Sequence, residues 1–303
     1  MYIDAHTHVA QESWVAETWW QALARVGAEV LPGVTAEMVR EAIIPALFDS
    51  DGSSQLGAMD AAGIHVAVMF PYDWSRADRL GNAATDWKEQ NQWYRDFADR
   101  QPKRIRWGFG ADPRQNGALE GFERAVREEG ALCLKLHPAA GFSITDPSVY
   151  PFMETARDLG VPVVMHVGPN VAPLYSKWSN PILLDELAAD FPSVKVQAAH
   201  TGNAAWRECL AVASVKHNVF CDLSGWQGRF ARNSSRFYSD VREVLDTVGP
   251  HRVMWSTDGP HYRPLVSDAD YLKAFTEAPD DAFSAEEIEW MTGRTAREFY
   301  ELD

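Results

Sequence analysis

The chain has 303 residues and a formal net charge of −15, with 46% hydrophobic and 23% charged residues. This length suits one large hydrophobic core, and the negative charge argues against nucleic acid and membrane partners because it repels phosphate backbones and anionic lipids. No apolar run reaches the roughly 18 residues that predict a transmembrane helix, and Met1–Val9 lacks the regions of a secretory signal. The three cysteines have no metal-binding spacing, so we interpret Cys133, Cys209 and Cys221 as reduced thiols of a cytoplasmic protein.

Short apolar runs alternate along the chain with longer segments of helical periodicity. The short runs are rich in Val, Ile, Leu and Met at both odd and even positions, as expected for strands of a parallel sheet covered on both faces. In chain order, the predicted strands are Tyr2–His6, His65–Phe70, Ile105–Gly110, Ala131–His137, Val161–His166, Val194–His200, Val219–Leu223 and Val253–Ser256.

Helices are predicted in the segments between these strands. Ser284 and Glu287 form a capping-box pair ahead of a terminal helix, and residues 10–64 are too long for one crossover helix, so we expect extra helices or a lid there. The other predicted helices are Asp86–Arg100, Ala118–Glu129, Asp185–Phe191, Ala204–Val215 and Val241–Val248.

Eight strands alternating with helices predict an α/β fold, a (β/α)₈ TIM barrel. We expect residues 1–303 to form a single domain with an extra helical insertion after strand 1, at 10–64. The alternative is a doubly wound open sheet, which is less favoured because no glycine-rich phosphate loop follows any strand.

Polar side chains gather at the carboxyl ends of the predicted strands, where TIM barrels place their active sites. His6 and His8 are two residues apart and so share one face of the first strand. Neutral imidazoles and a carboxylate suit a divalent metal, and the histidine content favours zinc over manganese. The strand-end residues are His6, His8, Lys135, His137, His166, His200 and Asp258.

These strand ends carry motifs that resemble the amidohydrolase superfamily, within it the branch called amidohydrolase family 2. The resemblance extends to the end of the chain, where Met291–Arg297 is similar to the branch's closing helix, although Arg294 and Thr295 replace the usual Gly/Asn pair. The superfamily includes hydrolases, deaminases, nonoxidative decarboxylases and hydratases. The motifs are Asp4–His8, Cys133–Pro138, Val163–Gly168, Ala198–Gly202 and Ser256–Pro260.

The resemblance implies a first metal surrounded by His6, His8, His166 and Asp258. A carboxylate beside such a metal can also accept a proton from an attacking water, which makes Asp258 a candidate catalytic base. His200 is then either a general acid/base or a ligand of a second metal, so one or two ions are expected.

Lys135 bears on the number of metals. In members of the superfamily that bind two metals, a lysine at the end of the fourth strand is carboxylated and bridges the ions. If Lys135 is such a lysine, His166 and His200 would hold a second ion while His6, His8 and Asp258 hold the first. The alternative for Lys135 is an unmodified lysine that orients the substrate or pairs with Asp258.

Residues in loops after the strands are predicted to contact a small-molecule substrate. Arginine can bind a carboxylate with two parallel hydrogen bonds. The 12 tryptophans further suggest an aromatic-lined pocket or an oligomer interface, and we expect a homo-oligomer, a dimer. The predicted substrate contacts are Tyr72, Trp74, His137, Trp226, Arg229, His261 and Arg263.

The predicted function is a metal-dependent hydrolase that uses metal-activated water to cleave an amide or lactone bond of a small organic substrate. The alternative is a metal-dependent nonoxidative decarboxylase of an aromatic or unsaturated carboxylic acid, with His200 as the proton donor. A non-enzymatic metal-binding protein is disfavoured because structural zinc sites are usually closed by four protein ligands.

Overall fold

The computed structural model describes residues 1–303. All strands pair in parallel and follow chain order, in a row of three (β1 to β3) and a row of six (β4 to β9). The strands are β1 Ile3–Thr7, β2 Val66–Met69, β3 Ile105–Trp107, β4 Phe109–Gly110, β5 Leu134–Leu136, β6 Val163–His166, β7 Val196–Ala199, β8 Val219–Asp222 and β9 Val253–Met254.

The two rows meet at Gly108, which separates β3 from β4. The backbone nitrogen of Gly108 donates to the Met69 carbonyl of β2 at 2.9 Å, whereas Phe109 donates to the Cys133 carbonyl beside β5 at 2.8 Å. A Cβ atom at position 108 would lie 2.3 Å from the Cys133 sulfur, so only glycine fits this close approach. The strand predicted over 105–110 is therefore present, in two pieces.

The first and last strands also lie side by side. Asp258, just beyond β9, donates its backbone N–H to the His6 carbonyl at 2.9 Å, and His8 donates to the Gly259 carbonyl at the same distance. Parallel strands in sequential order, with the first beside the last, confirm the predicted α/β fold of the TIM-barrel type. The order has no reversal of the kind that a doubly wound sheet requires, so that alternative is wrong.

Helices fill the connections between strands, and the predicted insertion after β1 carries α1 to α3 with a π-helical turn at Val39–Ile43. A role for this insertion as a lid stays a prediction. The helices are α1 Glu17–Val30, α2 Ala36–Met38, α3 Ser53–Ala62, α4 Trp87–Arg100, α5 Ala118–Glu129, α6 Tyr150–Leu159, α7 Leu184–Asp190, α8 Trp206–Val215, α9 Gln227–Arg232, α10 Ser234–Val248, α11 Asp268–Thr276, α12 Ala285–Glu289 and α13 Thr295–Phe299.

Capping side chains decide where two of these helices begin. The predicted capping box is confirmed, since Ser284 Oγ accepts from the Glu287 backbone at 3.2 Å and the Glu287 carboxylate accepts from the Ser284 backbone at 2.8 Å. Helix α10 begins seven residues before the predicted Val241, because the Asn233 side chain accepts from the backbone nitrogen of Arg236 at 2.9 Å. Helix α9, just before it, was not predicted from the sequence.

The hydrophobic core consists of one large cluster between the strands and helices and a smaller one that joins the strands to the C-terminal residues. In the smaller cluster, the Tyr300 hydroxyl can donate to the Ala5 carbonyl at 3.1 Å or to Gln197 Oε1 at 2.6 Å, which links the C-terminal residues to β1 and β7. All three cysteines are buried and unpaired, as the sequence suggested. None of the helices combines the length and the apolar character needed to cross a membrane.

Candidate metal centre and substrate cavity

Strand β1 brings two buried histidines together at the carboxyl end of the sheet. The Nε2 atoms of His6 and His8 lie 3.1 Å apart. His6 Nδ1 is 2.8 Å from a carboxylate oxygen of Asp222, and His8 Nδ1 is 2.6 Å from the Phe70 carbonyl oxygen. These oxygens can only accept hydrogen bonds, so each Nδ1 carries the ring hydrogen and each Nε2 presents a bare lone pair.

Two lone pairs that face each other repel unless a cation lies between them, so this donor pair fits a divalent metal. Asp258 adds a carboxylate oxygen 3.6 Å from His6 Nε2 and 3.5 Å from His8 Nε2. The three ligand atoms lie within 4.8 Å of one another. Burial lowers the pKa of His6 to about 4 and that of His8 well below its usual value, which keeps both rings neutral, as metal binding requires.

Lys135, in the middle of β5, lies against this cluster. Its Nζ atom is 3.2 Å from His6 Nε2, and the side chain is almost completely buried. Burial lowers the pKa of Lys135 to about 8. Burial also raises the pKa of Asp258 to about 8, although the positive charge of Lys135 acts to lower it. Both a carboxylated lysine that bridges two metals and an unmodified lysine are compatible with this position.

A second pair of facing imidazole nitrogens comes from His166 and His200. His166 Nδ1 lies 3.2 Å from His200 Nε2. His166 Nε2 donates to Asn170 Oδ1 at 3.1 Å, because the amide nitrogen of Asn170 is bound to other oxygens. His200 Nδ1 donates to Ser224 Oγ at 2.8 Å, since the Ser224 hydrogen goes to a carboxylate. The two facing atoms are therefore also bare acceptors.

His166 lies beside His200 and is not part of the cluster of His6, His8 and Asp258. Of the two arrangements that the sequence left open, this geometry favours the one in which His166 and His200 act together. The assignment of each residue as a metal ligand stays a prediction.

Asp222, at the end of β8, is a central residue of the site that the sequence analysis did not single out. Its carboxylate accepts from His6, from Gln197 Nε2 at 2.7 Å, and from the His200 backbone and Ser256 Oγ at 3.1 Å each. Burial opposes its ionisation, but the interaction with His6 and the hydrogen bonds hold the pKa of Asp222 well below its usual range. A carboxylate inside an apolar strand could have indicated this role, because buried carboxylates are rare unless paired.

The backbone at two of the predicted catalytic residues is in the left-handed region, with φ of +61° at His200 and +52° at Asp258. This conformation costs about 1–3 kcal/mol for a non-glycine residue and persists only where the surroundings hold it. The hydrogen bonds from the His200 backbone to Asp222 and from the Asp258 backbone to His6 provide that support. The two side chains are therefore held firmly at the ends of their strands.

A cavity of about 730 Å³ opens beside the cluster, large enough for a small organic molecule. The predicted site residues His8, Lys135, His137, His166, His200 and Asp258 all line it. Apolar side chains of the helical insertion form another part, among them Leu23, Val26, Ile43 and Ile44. A third part is mostly basic and comes from helices α9 and α10, with Arg229, Arg232 and Arg236 and one acid, Asp240.

The predicted substrate contacts divide into two groups. Tyr72, Trp74, His137, Arg229 and His261 line the cavity. Trp226 and Arg263 do not: the Trp226 indole donates to the His200 carbonyl at 2.8 Å, and Arg263 pairs with Asp268 at 2.9 Å. Their contacts argue for structural roles. Conversely, Trp19, Asn170, Arg232 and Arg236 line the cavity and were not predicted.

Comparison with known proteins places the chain in a family. A family model described as amidohydrolase matches residues 3–302. Protein fluG of Emericella nidulans is 33% identical over 103 residues, which are 34% of this chain and 12% of fluG, so the chain matches only a small part of that protein.

Solved structures resemble the whole chain at low sequence identity. An uncharacterized TIM-barrel protein of Bordetella bronchiseptica is 18% identical with a TM-score of 0.71, covering 99% of this chain and 98% of that one. The 5-carboxyvanillate decarboxylase of Novosphingobium aromaticivorans, complexed with manganese and 4-hydroxy-3-methoxy-5-nitrobenzoic acid, is 15% identical with a TM-score of 0.69, covering 100% and 96%. The dihydroxybenzoic acid decarboxylase of Polaromonas, with bound manganese and the inhibitor 2-nitroresorcinol, is 17% identical with a TM-score of 0.66, covering 99% and 97%.

At these identities the structural likeness shows the common fold, and the sequence match supplies the family. The family match spans nearly the whole length and includes every strand-end motif from β1 to the segment after β9. This protein therefore belongs to the amidohydrolase family.

Proposed function

We propose that this protein is a metal-dependent nonoxidative decarboxylase that acts on a small aromatic or unsaturated carboxylic acid. The sequence alone placed hydrolysis of an amide or lactone first, with decarboxylation as the alternative. The two manganese-containing decarboxylases among the similar structures support the alternative. The observation that carries the proposal is the basic part of the cavity in a chain whose net charge is −15.

Three arginines make this part of the cavity attractive to an anion. Arg229 is fixed by Asp240 and by the Asn203 carbonyl, each at 3.0 Å. Arg232 and Arg236 are exposed and form no ion pair, since the nearby Asp240 pairs with Arg229 and Arg207 instead. A carboxylate substrate gains from their unneutralised charge, whereas a neutral amide or lactone gains little.

The residues present fit a divalent metal held by His6, His8 and Asp258. When bound, such an ion supplies Lewis-acid polarisation of a substrate oxygen. The histidines favour zinc, while the similar decarboxylases contain manganese, so we propose one of these two metals. Metal analysis of the purified protein distinguishes them.

Decarboxylation breaks the bond between the carboxylate carbon and the ring or vinyl carbon. Carbon dioxide leaves, the electron pair stays on the substrate carbon, and a proton must reach that carbon to form the new C–H bond. His200 Nδ1 and the Asp258 carboxylate lie 3.9 Å apart, and both residues line the cavity. We assign proton delivery to His200, a general acid/base type held beside the substrate space, because Asp258 would be deprotonated when it holds the metal.

Hydrolysis remains the second candidate because of two specific features. Lys135 lies at the cluster, and the facing nitrogens of His166 and His200 offer donors for a second ion. Under this alternative Asp258 accepts the proton of the attacking water. Two ions per chain and a carboxylated Lys135 would favour hydrolysis over decarboxylation.

Two further predictions from the sequence are kept as proposals. We propose a cytoplasmic location, which the three unpaired, buried cysteines support. We also propose a homodimer, which size-exclusion chromatography with light scattering tests.

The proposed reaction is tested by incubating the metal-loaded protein with hydroxylated benzoic acids and unsaturated acids, and separately with amides and lactones. We expect release of carbon dioxide from an acid, lost in Asp258→Asn and kept in Asp112→Asn, a matched change at a buried carboxylate that pairs with Arg114 outside the cavity. Turnover of amides or lactones without carbon dioxide release from any acid would overturn the proposal.

A further inference from the structure

Five neutral side chains that line the cavity each hold a buried polar atom without a hydrogen-bond partner. Folded proteins leave few such atoms unpaired, so their concentration in one cavity points to a ligand that binds them. The atoms are Trp19 Nε1, Tyr72 Oη, Trp74 Nε1, His137 Nδ1 and His261 Nδ1. We call these five residues the aromatic box.

The members of the aromatic box lie against one another. The ring of Tyr72 is 5.5 Å from that of Trp74, 6.2 Å from His137 and 6.3 Å from His261. Trp19 packs edge-on against Trp74 at 4.4 Å. The five residues that hold the unpaired atoms therefore form one continuous group of rings along the cavity.

The box also adjoins the metal cluster. The ring of Tyr72 is 4.9 Å from the ring of His8, and His137 stacks on His166 at 3.9 Å. A substrate whose carboxylate lies at the cluster can therefore reach the box with another part of the same molecule.

Hydrogen-bond donors dominate the box, and this decides what it recognises. An indole N–H only donates, and both Trp19 and Trp74 offer one. The Tyr72 hydroxyl can donate as well, and both Tyr72 and Trp74 are buried residues. The matching ligand group is an acceptor, which in a small organic acid is an oxygen atom.

The character of the box favours an uncharged oxygen over a charged one. Its donors are neutral and buried, and transfer of a charge into such surroundings costs more than neutral hydrogen bonds return. The cationic part of the cavity comes from different elements, α9 and α10. A second carboxylate would be drawn there, while the box suits a hydroxyl, ether or carbonyl group.

We propose that the aromatic box binds an uncharged oxygen substituent of the substrate, separate from the carboxylate that reacts. The identity of the reacting group rests on the proposed decarboxylase function. Trp19 belongs to α1, so the helical insertion after β1 contributes directly to substrate specificity.

Binding to the metal-loaded protein tests the box without any need for turnover. Isothermal titration calorimetry compares methoxybenzoic acids with ethylbenzoic acids of similar size, substituted at the ortho, meta or para position. We expect the wild type to bind at least one methoxy acid about fivefold or more tightly than its ethyl counterpart, because one hydrogen bond differs between them.

Tyr72→Phe removes a single oxygen atom and should remove most of this preference while leaving the affinity for the ethyl acid unchanged. Trp74→Phe and Trp19→Phe should lower the preference in the same direction. Tyr150→Phe is the matched control, since its hydroxyl bonds to Glu186 on the surface and the residue does not line the cavity. Circular dichroism verifies the fold, and Tyr72→Phe decides the outcome if a tryptophan variant does not fold.

The results separate this proposal from the proposed reaction. A methoxy preference that Tyr72→Phe abolishes supports the box even if no acid releases carbon dioxide. Equal affinity of the wild type for all methoxy and ethyl pairs, no binding of any methoxy acid, or the same preference in Tyr72→Phe as in Tyr150→Phe would overturn it, even if carbon dioxide release is found.

Discussion

His6 Nδ1 and Asp222 Oδ2 lie 2.8 Å apart, and both side chains are completely shielded from solvent. This contact places the ring hydrogen of His6 on Nδ1 and leaves Nε2 free to face His8 and Asp258. A carboxylate behind a ligating histidine also increases the basicity of the ring. Asp222 is therefore a positioning residue for the metal centre.

Replacement of Asp222 by asparagine is expected to weaken metal binding about ten- to a hundredfold, because the hydrogen bond that fixes the His6 ring becomes weaker. Titration of the metal-free protein with zinc and with manganese measures this change. A positioning role predicts lower metal affinity in a chain that still folds, as judged by circular dichroism.

Asp112→Asn is the control for the loss of a buried carboxylate, since Asp112 pairs with Arg114 at 2.6 Å and does not line the cavity. Its metal affinity should match that of the wild type. If Asp222→Asn also binds metal like the wild type, Asp222 does not position His6.

Metal affinity should fall as the pH is lowered from 8 to 6. Burial raises the pKa of Asp258 to about 8, so below this pH the metal-free protein holds a proton on the carboxyl that the metal must displace. Burial lowers the pKa of Lys135 to about 8, so its charge next to His6 also builds up below pH 8 and acts in the same direction. We expect about a tenfold loss of affinity per pH unit for each proton displaced.

Calorimetric titrations at several pH values measure this dependence. Repetition at pH 7 in two buffers of different ionisation enthalpy counts the protons released, and a value near zero would contradict the protonated state of the metal-free site. Above pH 8 the affinity should become much less dependent on pH.

Lys135→Met separates the one-metal from the two-metal arrangement. With a single ion, the variant should still bind one metal per chain, about tenfold or more tightly at pH 7, because a positive charge near His6 Nε2 is removed. With a carboxylated bridge, the wild type should bind two metals and the variant fewer, and the intact mass of the wild type should include one added carbon dioxide. Lys195→Met, at a lysine 3.8 Å from Glu301 near the surface, controls for the loss of a lysine.

The strand ends could be predicted from the sequence because polar residues there interrupt apolar runs. His6, His8, His166 and Asp258 each follow or end such a run, and the parallel order of the strands brings these ends to one side. Asp222 ends its strand in the same way, but it lies within the predicted strand and has no histidine beside it in sequence. Its contacts with His6 of β1 and Gln197 of β7 become visible only in the assembled sheet.

The cavity surfaces away from the strands could not be predicted in this way. Arg232 and Arg236 face the cavity because α9 ends at Arg232 and Asn233 starts a new helix, a break that helical periodicity alone did not reveal. Trp19 reaches the cavity because the insertion folds back toward Trp74, and no local pattern in the sequence encodes such a contact.

Removal of the two unpaired arginines should weaken substrate binding with little effect on the chemical step. In the double variant Arg232→Ala and Arg236→Ala, we expect KM for the acid to rise about tenfold and kcat to change by less than about twofold, because the lost attraction stabilises the bound substrate and the transition state equally. Steady-state kinetics at low and at physiological salt measure both constants. The wild type should lose more of its kcat/KM with added salt than the variant does.

Arg124→Ala with Arg127→Ala removes the same charge from exposed positions on α5, outside the cavity. If the arginines that line the cavity attract the substrate, this control should keep a KM near that of the wild type, because charges far from the substrate are screened by salt. If both double variants raise KM equally, the effect comes from the net charge of the whole protein. The arginines of α9 and α10 would then give no reason to prefer an acid over a neutral substrate, and hydrolysis would again compete on equal terms with decarboxylation.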